Sequence, residues 1–583
     1  MSLDLFSRRA FITRSAVATA VAGTSPFWTP AARATMPLPE ATGSLDKNLD
    51  AYVASYMPAM NAPGLTLGLT DASHTLRTAG YGFANVDQHL PVNTEHLFQI
   101  GSITKSFVAL VILQLRDEGK LDLNKPVLEY LPWLPITESF GPITTHHLLT
   151  HTSGLPDSLN LFSSNPSARL AQGFKPGDHF HYCNAGFDIL GRLAANLDRR
   201  PWRACVQARI LSPLGMSKTE PVITTASRPR SATGYEIYWD DQVYPRQGKL
   251  APAPNLVMDN TAGCIASIPA DMAIYLRMLL NRGKYSSGRI VSEESFNLMS
   301  TPHIKAEEFS PTASYGYGIA VDTLDGHKIL RHTGGMVSFA SSIHVDLDGG
   351  VAAFASINAM QGYRPTAVTE YAVRLLRASA ESKPLPAPPA IANPEEIDNA
   401  ADYAGTFTAP DGHKLVFAAQ GKRLTLVDGD AHVPLQHAGG DSFISTMESR
   451  FAEYGFEFTR KTTDSTKPEE TKPKPPVIEV TYGPSWFTNA SYSGPKTFQV
   501  PPEFAAYAGH YRSDGAWAGD ARAFVQKDRL MLSSSPLEPI GNGLFRIADQ
   551  PWIPDTAEFL CIAEGKAQLL KLGGADFWRI EID

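Results

Sequence analysis

The chain has 583 residues, 43% of them hydrophobic and 19% charged, the balance of a folded protein with material for several cores. Its formal charge of −8 speaks against a nucleic-acid or anionic-membrane partner. Four cysteines without paired spacing, Cys183, Cys205, Cys264 and Cys561, speak against a disulfide framework and a cysteine-based zinc site.

Residues 1–34 stand apart. Ser7-Arg8-Arg9-Ala10-Phe11-Ile12 resembles a bacterial twin-arginine export signal, and a short apolar segment over 15–23 follows it. Ala32-Arg33-Ala34 then has the small-x-small form of a cleavage site. The apolar run is too short to cross a bilayer, and no later stretch reaches the ~18 residues needed. The expectation is a signal peptide, no membrane span, and work in the periplasm or outside the cell.

Residues 45–380 read as one large unit. Pro63 to Leu69 and Thr75 to Phe83 alternate as a strand pair. Phe107-Val108-Ala109-Leu110-Val111-Ile112-Leu113-Gln114-Leu115 is a buried helix that ends at Gly119. Helices are expected over 187–197, 202–211 and 271–280, the last after a strand-like stretch at 263–267. Strands return at 315–321, 327–332, 341–346 and 351–357, and an amphipathic helix covers 367–377.

Lys383-Pro384-Leu385-Pro386-Ala387-Pro388-Pro389 breaks regular structure and reads as a stiff linker. Beyond it, 414–417 and 424–427 form a hairpin pattern, and a polar Pro/Lys/Glu-rich break spans 461–476. Tyr403-Ala404-Gly405-Thr406-Phe407 recurs as Tyr507-Ala508-Gly509-His510-Tyr511, which suggests two copies of a small antiparallel barrel. The division expected is 1–34 signal peptide, 35–381 main domain, 382–396 linker, and barrels at 397–495 and 496–583.

The chemistry starts at Gly101-Ser102-Ile103-Thr104-Lys105, where a helix begins. Three residues apart, Ser102 and Lys105 share one side of the first turn. An amine in an apolar setting can take the proton that makes a hydroxyl nucleophilic. Taken alone, Ser-x-x-Lys is better read as an N-cap and a solvated lysine, so its context decides. That context is Tyr182-Cys183-Asn184 and then His332-Thr333-Gly334-Gly335, the latter between two apolar strands.

With these three motifs in this order, residues 45–380 resemble the serine β-lactamase and penicillin-binding-protein superfamily, in particular its class C-like branch of D-aminopeptidases, D,D-peptidases and esterases. Leu148-Leu149-Thr150-His151-Thr152-Ser153-Gly154-Leu155-Pro156 and Leu211-Ser212-Pro213-Leu214-Gly215-Met216 are similar to the same branch. The resemblance implies an α+β fold, an antiparallel sheet flanked by helices plus a helical subdomain, followed here by the two barrels. It implies Ser102 as nucleophile, Lys105 as base, Tyr182 as a proton relay polarised by Lys105 and His332, and Asn184 as the residue that orients Lys105. Thr333, Gly334 and Gly335 would bind substrate along a strand edge, with the N–H groups of Ser102 and Gly335 as oxyanion hole.

One departure stands out. The β-lactamases carry lysine where this chain has His332, a group that ordinarily titrates near neutrality. This turns the expectation from β-lactams to small peptides or amides, with D-residue or linearised cyclic peptides among them. Small acyl esters are the alternative substrates, and a β-lactamase or a non-catalytic penicillin-binding protein is the further one. Relatives with barrels also carry a barrel loop that reaches the cleft, and here 550–556 or 513–520 would set Asp555 or Asp514 near a substrate ammonium. His146, His147 and His151 lack an acidic or cysteine partner at metal-binding spacing, so neither metal nor cofactor is expected. Cys183 is expected to be buried and inert, and a dimer is compatible with everything above.

Overall fold

A computed structural model of the chain describes residues 44–158, 169–238, 241–360, 364–461, 474–515, 517–547 and 550–581. The signal-peptide reading, and most of the break expected at 461–476, lie outside these residues.

Two segments distant in sequence close one sheet. Its strands are β1 (Gly64–Asp71), β2 (Thr75–Asn85), β3 (Leu90–Pro91), β4 (Ile304–Lys305), β5 (Ser314–Tyr315), β6 (Ala320–Leu324), β7 (His327–Gly335), β8 (Ala340–Asp346) and β9 (Val351–Ile357). Among the described residues they form a nine-stranded sheet in the order β4-β5-β6-β7-β8-β9-β1-β2-β3. Each neighbouring pair is antiparallel, and β1 joins β9 with Leu65 opposite Ile357 and Asp71 opposite Val351.

The alternation of a pleated strand assigns the two faces. Leu65, Leu67, Leu69, Ala353, Ala355 and Ile357 pack with Leu49, Val53, Val368, Tyr371 and Leu375, from helices α1 (Ser44–Ala59) and α5 (Thr366–Ala380). Leu330, Ile343, Val345, Ala352 and Phe354 face the other way, towards α2 (Thr104–Asp117), α3 (Asn184–Asp198) and α4 (Pro269–Leu280). Helix α2 is covered on nearly all sides, as its unbroken apolar run requires. Burial on both faces explains why β9 reads as a continuous run of small and apolar residues, while β8, equally buried, also carries His344 and Asp346.

One expected strand is two. The stretch 315–321 is interrupted at 316–319, where Gly316 closes on the Met299 carbonyl and Gly318 on the main chain of Lys105. The strand breaks because its middle packs against the first turn of α2 rather than pairing.

After the linker, in which 384–391 has no regular structure, come two β units. Among the described residues the first is a nine-stranded antiparallel sheet whose edge strands, Ala431–Pro434 and Gln436–Gly439, are separated only by Leu435, so it curls nearly closed. Tyr403, Phe407, Phe417, Phe443, Phe456 and Phe458 fill it. The second is a closed eight-stranded barrel from Gly509–Arg512 to Ala575–Ile580 around Tyr511, Leu530, Phe545, Phe559 and Phe577. The repeated pentapeptide has the same place in both: Tyr403 and Tyr507 each end a short helical turn, and strands start at Gly405 and Gly509.

Cys183, Cys205 and Cys264 are buried free thiols, and Cys561 is an exposed one. Among the described residues no helix is long and apolar enough to cross a membrane.

Candidate active site

The chain enters the site through Phe98–Gln99, turns at a 3-10 segment, Gly101–Ile103, and runs straight on into α2. Gly101 has φ +53, and a Cβ there would fall 2.7 Å from the Gly335 nitrogen, so only glycine lets these two main chains meet. Gly334 is equally close to its neighbour, since a Cβ on it would strike the Ile100 carbonyl oxygen at 1.9 Å. Neither the 3-10 turn nor α2 is capped by a side chain, so the Ser102 hydroxyl is not spent as an N-cap.

The hydroxyl instead accepts from Lys105 Nζ at 3.0 Å. Lys105 is fully buried, and its amine also donates to Asn184 Oδ1 at 2.8 Å and to the Ala262 carbonyl at 2.8 Å. These acceptors point the amine at the serine oxygen with little freedom to turn away.

Asn184 is the first residue of α3, whose N-cap is Cys183, with Sγ accepting the Gly186 N–H. The Asp157 carboxylate accepts the Asn184 main-chain N–H at 2.8 Å and its side-chain Nδ2 at 3.1 and 3.3 Å. A carboxylate at the start of a helix is favoured by the helix dipole. Burial pushes the Cys183 thiol far up, and it donates to the Pro156 carbonyl, so it is buried and structural.

Tyr182 lies with its ring centre 4.8 Å from Lys105 Nζ and stacks on His151 at 4.2 Å. His151 accepts the Cys183 N–H through Nδ1, which fixes the segment that carries Tyr182.

His332 differs from the expectation. Its Nδ1 lies 2.6 Å from the Thr333 carbonyl, which can only accept, so Nδ1 carries the proton and Nε2 accepts from the Tyr315 hydroxyl at 2.9 Å. Burial and the charge of Lys105 hold its pKa down to about 3. It is therefore neutral across the physiological range rather than titrating near neutrality. Its ring centre is 6.4 Å from that of Tyr182, and its nitrogens face Tyr315 and Thr333. The cation at the strand edge is Arg364, whose Nη2 would lie 2.6 Å from a Cβ on Gly335.

Four groups escaped the sequence reading: Asp157, the Ala262 carbonyl, His151 as the support of Tyr182, and Tyr315. Asp157 follows directly on the family-like segment ending at Pro156, a signal available in the text. Tyr315 carried none, because its bond to residue 332 exists only once β5, β6 and β7 are side by side.

Of the two barrel-loop acids, Asp555 is corrected. Asp514 is exposed in the turn before Asp520. Asp555 is fully buried; its Oδ1 accepts the Asp157 N–H at 2.9 Å, and its Oδ2 is 3.2 Å from His181 Nε2. It is engaged by protein groups and does not face a substrate ammonium. Of the other histidines, His146 meets the Tyr317 hydroxyl at 2.8 Å, and His147 completes the capping box of Thr144. Among the described residues no three His, Cys, Asp or Glu side chains are grouped to hold a metal.

A family model described as β-lactamase matches residues 47–378. Protein Rv1367c of Mycobacterium tuberculosis is 28% identical over 299 residues, 45% of this chain and 74% of that protein. Protein flp of Staphylococcus aureus is 26% identical over 317 residues, 52% of this chain and 61% of its own length. Among solved structures, the octameric penicillin-binding protein homologue from Pyrococcus abyssi is similar in fold, with a TM-score of 0.51 at 23% identity, covering 76% of this chain and 99% of that one.

Proposed function

The chain belongs to the β-lactamase family, and from that premise we propose that it is an exported serine hydrolase acting through an acyl-enzyme on small peptides or amides. The observation that carries the reading is the Lys105 amine, buried and 3.0 Å from the Ser102 hydroxyl. It donates to the neutral oxygens of Ser102, Asn184 and Ala262, a setting in which an amine can serve as a base.

In the first step Ser102 Oγ bonds to the substrate carbonyl carbon while its proton passes to Lys105 in its unprotonated form, whose lone pair then faces the hydroxyl. The carbonyl electron pair moves onto oxygen and is met by the main-chain N–H groups of Ser102 and Gly335. Collapse breaks the C–N bond, and the amine leaves with the proton from Lys105, relayed by the Tyr182 hydroxyl. Water then attacks the acyl carbon and gives a proton to the same amine, which passes it to Ser102 Oγ as the C–O bond of the acyl-enzyme breaks, freeing the acid and restoring the serine hydroxyl and the neutral amine. Asn184 keeps the amine in register throughout. Thr333, Gly334 and Gly335 supply the strand edge along which a peptide lies.

Esterase action is the second reading, and the neutral, doubly held His332 favours it. That residue offers no charge to a substrate carboxylate, and an alkoxide leaving group needs less proton assistance than an amine. The same feature makes β-lactam hydrolysis the weaker alternative.

Purified protein tested on p-nitrophenyl acetate, on D-Ala and L-Ala p-nitroanilides and on a chromogenic cephalosporin decides among them. A burst of one product per chain followed by turnover, abolished by Ser102→Ala, supports the acyl-enzyme. Full activity in Ser102→Ala overturns it. Replacing Arg8 and Arg9 with lysine should retain the protein in the cytoplasm on cell fractionation, and unchanged export would overturn the twin-arginine reading.

A further inference from the structure

We infer that Asp555, on the C-terminal barrel, is a positioning residue for the Lys105 amine, acting through Asp157 and Asn184, so that the active site is complete only with this barrel docked. The inference rests on the reading of Lys105 as the base.

The path is continuous. Asp555 Oδ1 accepts the Asp157 N–H at 2.9 Å, the Asp157 carboxylate accepts Asn184 Nδ2, and Asn184 Oδ1 accepts Lys105 Nζ at 2.8 Å. A carboxylate can only accept, so Asp157 dictates which way the Asn184 amide faces. Turned over, that amide would present its NH2 group to the amine and lose the bond that aims Lys105 at Ser102.

What holds Asp157 is therefore decisive, and the stretch 152–158 has no helix or strand to hold it. The main unit fastens its first part, through the Thr152 N–H to the His147 carbonyl and the Gly173 N–H to the Gly154 carbonyl, both at 2.9 Å, and next to Asp157 through Cys183 Sγ to the Pro156 carbonyl at 3.2 Å. Two fastenings come from the barrel: Asp555 itself, and the Gly573 carbonyl, which accepts from Ser158 Oγ at 2.5 Å.

The loop that brings Asp555 is built into the main unit. The Trp552 carbonyl would lie 2.6 Å from a Cβ on Gly173, and the Trp552 ring stacks on His179 at 4.4 Å and 9°. Asp555 is fully buried beside His181, whose own N–H donates to the His151 carbonyl next to the Tyr182 ring. A buried ion pair adds little net stability against its desolvation cost, so what Asp555 contributes here is the place of its neighbours.

The test uses the full chain and p-nitrophenyl acetate, with thermal unfolding alongside. Asp555→Ala should lower kcat by roughly 10- to 100-fold with KM within about threefold, the loss expected when a reacting group shifts by about 1 Å. Asp555→Asn should recover most of it, because its amide oxygen can still accept the Asp157 N–H. Wild-type kcat in Asp555→Ala, or equal losses in both variants, overturns the inference. Should Asp555→Ala not fold, Ser158→Ala takes its place, since it removes the bond to Gly573 and leaves no buried charge. A kcat lowered at least ~3-fold at unchanged KM then supports the inference, and wild-type kcat overturns it. Ser102→Ala separates the two readings. If it stays active, the nucleophile is wrong; if it is dead while Asp555→Ala keeps kcat, only the role of the barrel falls.

Discussion

The two C-terminal β units begin with the same turn and pentapeptide, yet they meet the rest of the molecule by different chemistry. The first rests on the surface of the main unit. Val243 packs with Ile444 and Ala452, the Val243 N–H donates to the Ala452 carbonyl, and Arg246 reaches Gln436 and the Ala392 carbonyl. The second sends a fully buried carboxylate to within one residue of the Lys105–Asn184 pair. A repeated fold thus carries two roles, and the docking groups rather than the barrel decide which.

The ceiling for any effect on rate is set by the site itself. Lys105→Ala should cost kcat about 10²- to 10⁴-fold, the usual range for removing a general base, measured by steady-state ester hydrolysis. Below that ceiling comes the second unit, with the Asp555→Ala loss given above. The first unit should leave kcat within about twofold when its contact is trimmed, and an equal loss from both units would erase the contrast between them.

Acidity sharpens the contrast further. Burial alone would lower the pKa of His181, but the facing carboxylates of Asp555, Asp157 and Glu308 raise it. A raised histidine contributes stability in full below its ordinary value of ~6.5 and loses it as pH rises through the raised value. His146 (pushed to about 4), His151 and His332 act oppositely, since they stay neutral in the fold and cost stability as pH falls below ~6.5. The measurement is therefore a difference: the Tm of wild type minus that of His181→Gln, followed from pH 5 to 9, should shrink as pH rises. A difference flat in pH would detach the ion pair from docking.

Two smaller effects complete the order. Tyr315→Phe leaves the buried His332 Nε2 without its donor and should cost about 1–3 kcal/mol, read by denaturant unfolding. Val243→Ala, which removes two methyl groups from the contact with the first unit, should cost about 1–2 kcal/mol.

What could be read from the sequence follows the range of the interactions. Ser102 and Lys105 are three residues apart, and a helical turn brings them together whatever the rest of the fold does. The strands of the main sheet, the repeated β units and the order of the three motifs were legible for similar reasons, through alternation and local spacing. The charge state of His332 was not, because it depends on burial and on Lys105 from another element. The break at 316–319 was hidden too, since α2 imposes it from outside the strand. Asp555 was singled out as an acid near the cleft, but its partner, Asp157, lies 398 residues away and is met through its main-chain N–H. No pattern in either segment encodes that bond.

Cys561 sits in the strand Thr556–Ala563, which begins one residue after Asp555, and it is the exposed thiol where the other three are buried. A maleimide dye will therefore label the native chain at a single place, on the strand that leads out of the docked loop. Fluorescence anisotropy or quenching from that dye can follow the C-terminal barrel in real time, with no engineered cysteine and no change at Ser102 or Lys105.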